Sequence, residues 1–474
     1  MPKTTLSRRH FFFGSMFAAA VPAGGWGAVP GLGRMGYKSP NEKLNIAAIG
    51  AGGKGRSDIA GCDSENIVAF ADPDEKQAGE TFAKYPKVPR YKDFRKMLDK
   101  EDRNIDAVIV ATPDFMHGMA AMWSMERGKA VYCQKPLTRT VWEARELAKA
   151  AEKYGVATQM GNQGYSNDGT RQAAEILWSG EIGDVTEVHA WTNRPIWPQG
   201  VAELPKPEPV PATMDWDTWT GIAAERPYSP AYAPFNWRGW YDFGCGALGD
   251  MACHILGSVN MALLLEAPTS VEVINRKDKN PYTFPTQSVL RFDFPARKSM
   301  PAVQVYWYDG AEQAAYRPKG LPEGERVIPV SKRDEERFKN RPNVTKEDWA
   351  KFEARSQSNG AVFVGSKGLM ATDTYAGSVH LMPEARMKDY KMPEELLTRS
   401  PGHYRDWIRA AKGGDPACSN FSIAAPFTEW ILLGALAQRL DTKIEWDRSR
   451  MKVTNHSEAN DYLKPEFRKG WSFT

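Results

Sequence analysis

A hydrophobic run that feeds straight into Gly-x-Gly-x-x-Gly, Leu44-Asn-Ile-Ala-Ala-Ile-Gly50-Ala-Gly52-Gly53-Lys-Gly55, constrains this chain more than any other stretch. A strand that enters a glycine turn and leaves it as a helix opens a βαβ unit. Gly50 permits the tight turn, Gly52 lets backbone approach a pyrophosphate, and Gly55 allows close packing of helix on strand, with Gly53 inside the same turn. The first amides of the helix then face an anion. A second run, Asn66-Ile-Val-Ala-Phe-Ala-Asp72, ends in a carboxylate at the distance where a ribose hydroxyl pair is held, which favours NAD and leaves NADP open. Asp72 stands before Pro73, so capping of the next helix is its other available role.

From residue 44 to 160 apolar runs (44–49, 67–71, 105–111, 130–133 and 156–160) alternate with helical stretches, the pattern of a parallel sheet wrapped by helices. Residues 140–155 are strongly helix-forming and end in a C-cap glycine. Beyond Gly183 the texture changes to alternating strands at 185–191, 270–275, 287–294 and 302–307, followed by helical periodicity at 404–412 and 424–440. The predicted fold is α/β: an N-terminal Rossmann dinucleotide-binding domain over 42–160, then an α/β domain over 161–474 with a large, mainly antiparallel open sheet. Residues 195–234, rich in Pro and Trp, read as an extended arm or a lid, and the charged stretch 316–358 as a solvated excursion.

The start of the chain has its own pattern. Ser7-Arg8-Arg9-His-Phe-Phe-Phe-Gly precedes an apolar run over 11–20 with Ala18-Ala-Ala20 as a small-residue cleavage zone, which resembles a twin-arginine export signal. The run is too short to span a bilayer comfortably, so residues 1–41 are read as signal and linker. The expectation is a folded, exported protein, periplasmic or secreted, without stable membrane insertion after processing. A net charge of +4 on 474 residues gives no argument for nucleic acid. The five cysteines show no C-x-x-C and suggest no metal signature, although a Cys245–Cys253 bridge stays open.

Three constellations carry chemistry. Gln134-Lys135-Pro136 falls at the carboxyl end of a sheet strand, where ligands of open α/β folds bind, and a lysine there can steady the alkoxide that precedes hydride loss. Thr112, Pro113 and His117 end the neighbouring strand at the same rim, and Asn162 and Gln163 follow the last one. Asp250 and His254 lie at i and i+4 of a helix, so both point from one face. His254 is the natural general base, with a pKa expected near neutrality, and Asp250 tunes it or binds substrate. No third ligand joins the pair, so a metal centre is not expected. Six tryptophans fall between Trp191 and Trp240, and Trp237, Trp240 and Tyr241 are the expected stacking surfaces for a sugar.

Taken in order, the glycine turn, Gln134-Lys135-Pro136 and Asp250-x-x-x-His254 resemble the Gfo/Idh/MocA oxidoreductases over nearly all the chain from about residue 43. The resemblance implies Lys135, Asp250 and His254 as the catalytic group, a cis bond before Pro136, and an approach of Trp237 and Arg238 to the nicotinamide. Gln134 departs from the family's usual glutamate and brings no negative charge beside Lys135. The functional expectation is oxidation of a secondary hydroxyl of a sugar, polyol or glycoside, a small carbohydrate substrate, by a tightly held NAD(P) that is recycled in place. The competing expectation is an NAD-dependent glycosidase that oxidises transiently, eliminates, hydrates and re-reduces. It needs a second acid/base group, for which His117, Tyr165 and Tyr241 are the candidates. An exposed sheet face in the second domain suggests a homo-oligomer.

Overall fold

Six short parallel strands form the first sheet: β1 (Asn45–Ile49), β2 (Asn66–Ala71), β3 (Arg90–Tyr91), β4 (Ala107–Val110), β5 (Ala130–Cys133) and β6 (Thr158–Met160), in the order β3-β2-β1-β4-β5-β6. This computed structural model describes residues 42–311, 316–328, 330 and 332–473, so the export motif lies outside the described residues. Every residue of β4 and β5 is buried, as a parallel sheet covered on both faces requires. The helix expected over 140–155 spans Val141–Tyr154, opened by a Thr140/Glu143 capping box and closed by Gly155 in the left-handed region. The two-residue β3 is the strand that the apolar runs did not announce, being too short to carry a period.

The second sheet has nine strands: β7 (Val185–Thr192), β8 (Ser270–Lys277), β9 (Gln287–Phe294), β10 (Val303–Gly310), β11 (Asn359–Gly365), β12 (Leu369–Thr372), β13 (Val379–Met382), β14 (Ile444–Asp447) and β15 (Lys452–Val453). Their order is β13-β12-β11-β7-β10-β9-β8-β14-β15, antiparallel throughout except for the β7–β10 pair. Residues along β9 alternate between buried and half-buried, so one face is dry and the other wet. The dry face is covered by the helix Phe421–Leu440, whose apolar window is 83% buried within the protein. Gly434 makes that packing possible: a Cβ there would stand 2.6 Å from both Leu248 and Phe292. The stretch 316–358 is more structured than a simple excursion, with helices Lys332–Lys339 and Lys346–Ser356.

Two late segments return to the first sheet. The helix His403–Ala411 sets Trp407 and Ile408 into the apolar cluster of Phe70, Ile109 and Tyr132. The tail places Trp471 against Phe94 and under the Arg95 guanidinium, with Phe473 against Trp142. The arm over 195–234 docks on the same domain, where Glu75 N donates to Thr213 O, Asp215 N to Pro73 O, and Trp219 meets Phe115. Cys245 and Cys253 are both free thiols, so the bridge left open by the sequence is not formed.

Close packing at the glycine turn is testable. A Cβ on Gly55 would lie 2.1 Å from Gly50 O, so Gly55→Ala is expected to lower unfolding free energy by about 1–3 kcal/mol. Gly79→Ala has open space around it and is expected to be neutral or slightly stabilising in the same urea titration.

Candidate active site

Lys135 leaves β5 through a cis Lys135-Pro136 bond, and Asp250 sits in the helix Gly246–Ile255 of the second domain. Lys135 Nζ donates to Asp250 Oδ1 at 2.6 Å, with the two side chains 14% and 16% exposed. Arg238 adds a second cation, its Nε 3.7 Å from the same oxygen. Burial alone would push the Asp250 carboxyl up, but Lys135 and Arg238 outweigh it and hold the group below the usual range. The Arg238 guanidinium is itself seated on Trp237 and Phe235, 4.2 and 4.6 Å from the ring centroids.

His254 lies one turn beyond Asp250, buried, with Nδ1 free of any hydrogen bond. Burial and then the Lys135 charge push its pKa down to about 3, not to the neutrality expected from sequence. The ring is therefore uncharged at working pH and open to receive a proton. Asp114, at the start of the helix Asp114–Glu126, reaches across the domain boundary and accepts from Cys245 N at 3.1 Å, at the N-cap of the Asp250 helix. It is pushed up to about 7 by burial, against the pull of Lys135 and Arg238. Asp114 follows Thr112-Pro113 in the sequence, and its position as the first residue of a helix was the available signal.

The negative charge that Gln134 lacks sits one side chain deeper. Gln134 Nε2 donates to Asp58 Oδ2 at 2.8 Å, and Tyr404 Oη donates to Asp58 Oδ1 at 2.7 Å. Lys54, from the glycine turn, pairs with the same carboxylate and lies 3.2 Å from Tyr404 Oη. Asp58 is fully buried, and burial raises its pKa against the Lys54 charge. Tyr132 continues the network to His403 Nε2 at 3.0 Å, and His403 Nδ1 meets Ser166 Oγ at 2.8 Å. Asp58 was legible as the i+4 partner of Lys54; Tyr404 and His403, more than 340 residues along the chain from Asp58, carried no local signal.

Several expected site residues face elsewhere. His117 is buried between the two motif loops, Nδ1 2.8 Å from Pro136 O and Nε2 2.9 Å from Thr112 O; burial pushes it down to about 4, so the neutral ring donates to one of these carbonyls. Tyr165 is buried with its hydroxyl on Asn260 Nδ2. Tyr241 lines a cavity of about 380 Å³ between Arg139, Arg439 and Lys464, whose lining includes none of Lys135, Asp250 and His254. His117 is thus engaged by backbone and Tyr241 lines a separate cavity, whereas the Tyr165 ring lies against Gly257, three residues beyond His254. Asn162 is fully buried and accepts from Ser419 Oγ at 2.6 Å, while Gln163 engages Tyr404. Thr112 and Pro113 stay half-exposed at the rim, where a Cβ on Gly50 would be 3.0 Å from Thr112 N.

The glycine turn fits a dinucleotide. Gly50 and Gly53 have φ of 87° and 49°, and the helix Gly53–Gly61 starts with no side-chain cap and no acidic residue in its first turn. Its leading amides are thus left to an anionic ligand. Asp72 braces this turn, its Oδ2 accepting from Ala51 N at 2.8 Å and Gly52 N at 3.2 Å. It does not cap the following helix, Gly79–Lys84, whose N-cap Ala78 has no side-chain cap bond; Asp72 Oδ1 accepts from Asp74 N at 2.9 Å, and Asp74 in turn accepts from Lys76 N and Gln77 N in the turn before that helix. Burial pushes Asp72 up to about 6.

A Rossmann nucleotide-binding domain whose strand-end lysine pairs with a helix of an appended α/β sheet domain defines a class of two-domain oxidoreductase. Residues 44–162 match the family model described as oxidoreductase family, NAD-binding Rossmann fold, and 181–284 match the model for its C-terminal alpha/beta domain. Both models describe the Gfo/Idh/MocA oxidoreductase family, to which these two stretches of the chain are similar. It is 30% identical over 127 residues to the 2,7-anhydro-N-acetylneuraminate hydratase of Mediterraneibacter gnavus, 27% of this chain and 33% of that protein. It is 30% identical over 157 residues to the scyllo-inositol 2-dehydrogenase (NAD(+)) of Bacillus subtilis, 33% of this chain and 41% of that protein. The chain thus spans a third to two-fifths of the length of these relatives. Its fold is similar to an inositol dehydrogenase homolog from Azotobacter vinelandii complexed with NADH and myo-inositol (TM-score 0.52, 16% identity, 87% of this chain and 100% of that one). It is also similar to the WlbA dehydrogenase of Bordetella pertussis in complex with NADH and UDP-GlcNAcA (TM-score 0.56, 13% identity, 86% and 99% covered).

Two substitutions test the electrostatics. A carboxyl raised in the folded state to about 7 costs stability as pH climbs from the ordinary Asp range to 7. Asp114→Asn keeps an acceptor for Cys245 N and removes that cost, so its stability relative to the parent is expected to rise between pH 4 and 7, by about 4 kcal/mol, and to level off above pH 7. Urea unfolding at several pH values reads this out; a pH-independent difference contradicts it. Gln134→Glu sets a second carboxylate against buried Asp58 and is expected to cost about 2 kcal/mol or more, with partial recovery in the Asp58→Asn/Gln134→Glu double variant.

Proposed function

We propose that the protein oxidises a secondary hydroxyl of a sugar, polyol or glycoside with a nicotinamide cofactor, NAD in preference to NADP, that stays bound through turnover. The observation that carries this reading is the meeting of Lys135, Asp250 and an unprotonated His254 from two domains. The scyllo-inositol 2-dehydrogenase among the relatives points the same way, while the 2,7-anhydro-N-acetylneuraminate hydratase fits the redox-neutral alternative. Gly50, Gly52, Gly53 and Gly55 would hold the pyrophosphate, Asp72 the adenosine ribose side, and Thr112, Pro113 and Arg238 the nicotinamide side. Bound there, the cofactor supplies a hydride acceptor. His254 takes the hydroxyl proton, and Lys135 Nζ, aligned by Asp250, steadies the developing oxyanion.

A second reading, the redox-neutral glycosidase, gains one specific support. Asp114 is a buried carboxyl near half-ionisation at neutral pH, within the electrostatic reach of Lys135, Arg238 and Asp250, and it offers the further acid/base group that reaction requires. The leader supports export by the twin-arginine route to the periplasm or beyond, which accounts for a cofactor carried inside the folded enzyme. The half-wet face of β9 and β10 supports a homo-oligomer.

Denatured protein is expected to release NAD(H), and the native protein to absorb near the reduced nicotinamide band after sugar is added. His254→Ala and Lys135→Ala should each cut kcat by about 10²–10⁴-fold while cofactor content stays unchanged. Turnover within threefold of the parent would falsify the role assignments. Aryl glycosides separate the readings: phenol released without net NADH supports the glycosidase, and a keto-sugar product supports the oxidoreductase.

A further inference from the structure

The aromatics expected to stack on a sugar are not available to one. Trp237, Trp240 and Tyr241 are 6%, 2% and 3% exposed, all enclosed by the arm and the core. A different ring stands beside the catalytic group. Tyr375, between β12 and β13, is 45% exposed, and its centroid lies 4.9 Å from that of His254 with the planes at 63°.

Its loop is fixed from three sides. Asp373 Oδ1 accepts from Tyr375 N at 2.9 Å and Gly377 N at 3.0 Å, and Oδ2 accepts from Ser378 Oγ at 2.9 Å. Asn167 Nδ2 donates to Tyr375 O at 2.8 Å. The backbone also lies directly on the turn after β6: a Cβ on Gly164 would be 2.9 Å from Tyr375 O, and one on Gly169 would be 2.2 Å from Ala376 O. The main chain is therefore immobilised while the ring is left uncovered, which spends ordering entropy before any ligand arrives. An exposed, pre-ordered ring against the proton acceptor of a cleft is a binding surface without its ligand.

We infer that Tyr375 is the stacking platform of the substrate subsite and that the substrate is therefore a ring, a cyclic sugar or cyclitol, whose C–H face lies on the tyrosine with one hydroxyl turned to His254. This rests on the reading of the cleft as a carbohydrate site, and it narrows that reading from polyols in general to cyclic ones, excluding open chains. An aromatic face is rigid and has no hydrogen-bond direction, so it holds the ring plane while Lys135 and His254 select the hydroxyl.

The test compares Tyr375→Ala and Tyr375→Phe with the parent on a panel of hexoses, methyl glycosides, cyclitols and the open-chain polyol sorbitol, by steady-state turnover and by saturation-transfer NMR. Tyr375→Ala is expected to raise KM and Kd for ring sugars about tenfold, the size of one aromatic contact, with kcat within about twofold. Tyr375→Phe should stay within about twofold of the parent, sorbitol should respond equally to all three proteins, and NADH affinity should not change. Unchanged KM and Kd for ring sugars and cyclitols, equal losses for sorbitol, or a parent that binds neither ring sugar nor cyclitol would each overturn the inference. A parent that binds ring sugars without oxidising or cleaving them sinks the catalytic reading instead, and the Tyr375 comparison is then read from binding alone.

Discussion

The ion pair between Lys135 and Asp250 is the contact on which the site depends. It joins a loop at the end of β5 to a helix of the other domain, and both charges are largely out of water. Such a pair gains its attraction only after a desolvation cost, so its geometry has to be good. Several features serve that geometry: Asp114 takes the N-cap amide of the Asp250 helix, His117 lies between the Pro136 and Thr112 carbonyls, and Gly434 lets the long core helix press on Leu248. Removal of either partner leaves the other buried, with Arg238 as the nearest remaining countercharge for Asp250.

Burial acts on every ionisable group of this cluster, but with opposite sign for acids and bases, and the local partner decides the result. Asp250 has two cations and stays ionised; Asp114 has a backbone amide and more distant cations, and rises to about 7. His254 is penalised twice, by burial and by Lys135, and falls to about 3. The outcome is a separation of states at neutral pH: one fixed anion, one carboxyl between forms, and one empty proton acceptor. Groups whose pKa values are driven apart by a shared environment mark acid and base roles.

What sequence revealed follows from range. Gly50 to Gly55, the runs of β1, β2, β4 and β5, and the helix closed by Thr140 and Gly155 are local patterns, and the structure holds them within a residue or two. Lys135, Asp250 and His254 were found because each sits in a motif. The strands β11 to β13 carried less signal: β11 follows a charged excursion, and β12 and β13 have four residues each. The roles given to Tyr241 and Trp240 failed for a different reason: a run of tryptophans has the composition of a sugar cleft and of an arm packed on its own domain, and only burial separates them. Tyr375 had no local signal at all, since it acquires meaning from His254, more than a hundred positions away.

The late helix His403–Ala411 explains how one chain makes both halves of the cleft a single object. Its apolar side, Trp407 and Ile408, belongs to the core of the first sheet, while Tyr404 binds Asp58 and His403 meets Tyr132 and Ser166. Asp58 lies on the helix that starts at the glycine turn, and Gln134 adjoins Lys135. A shift of the dinucleotide groove is therefore felt at Lys135 through Asp58 and Gln134, and at the second domain through Tyr404. Opening that groove requires parting a buried carboxylate from three donors, which is costly when no water replaces them. The same network thus sets a carboxylate behind the uncharged Gln134 and ties the helix of the glycine turn to the late helix.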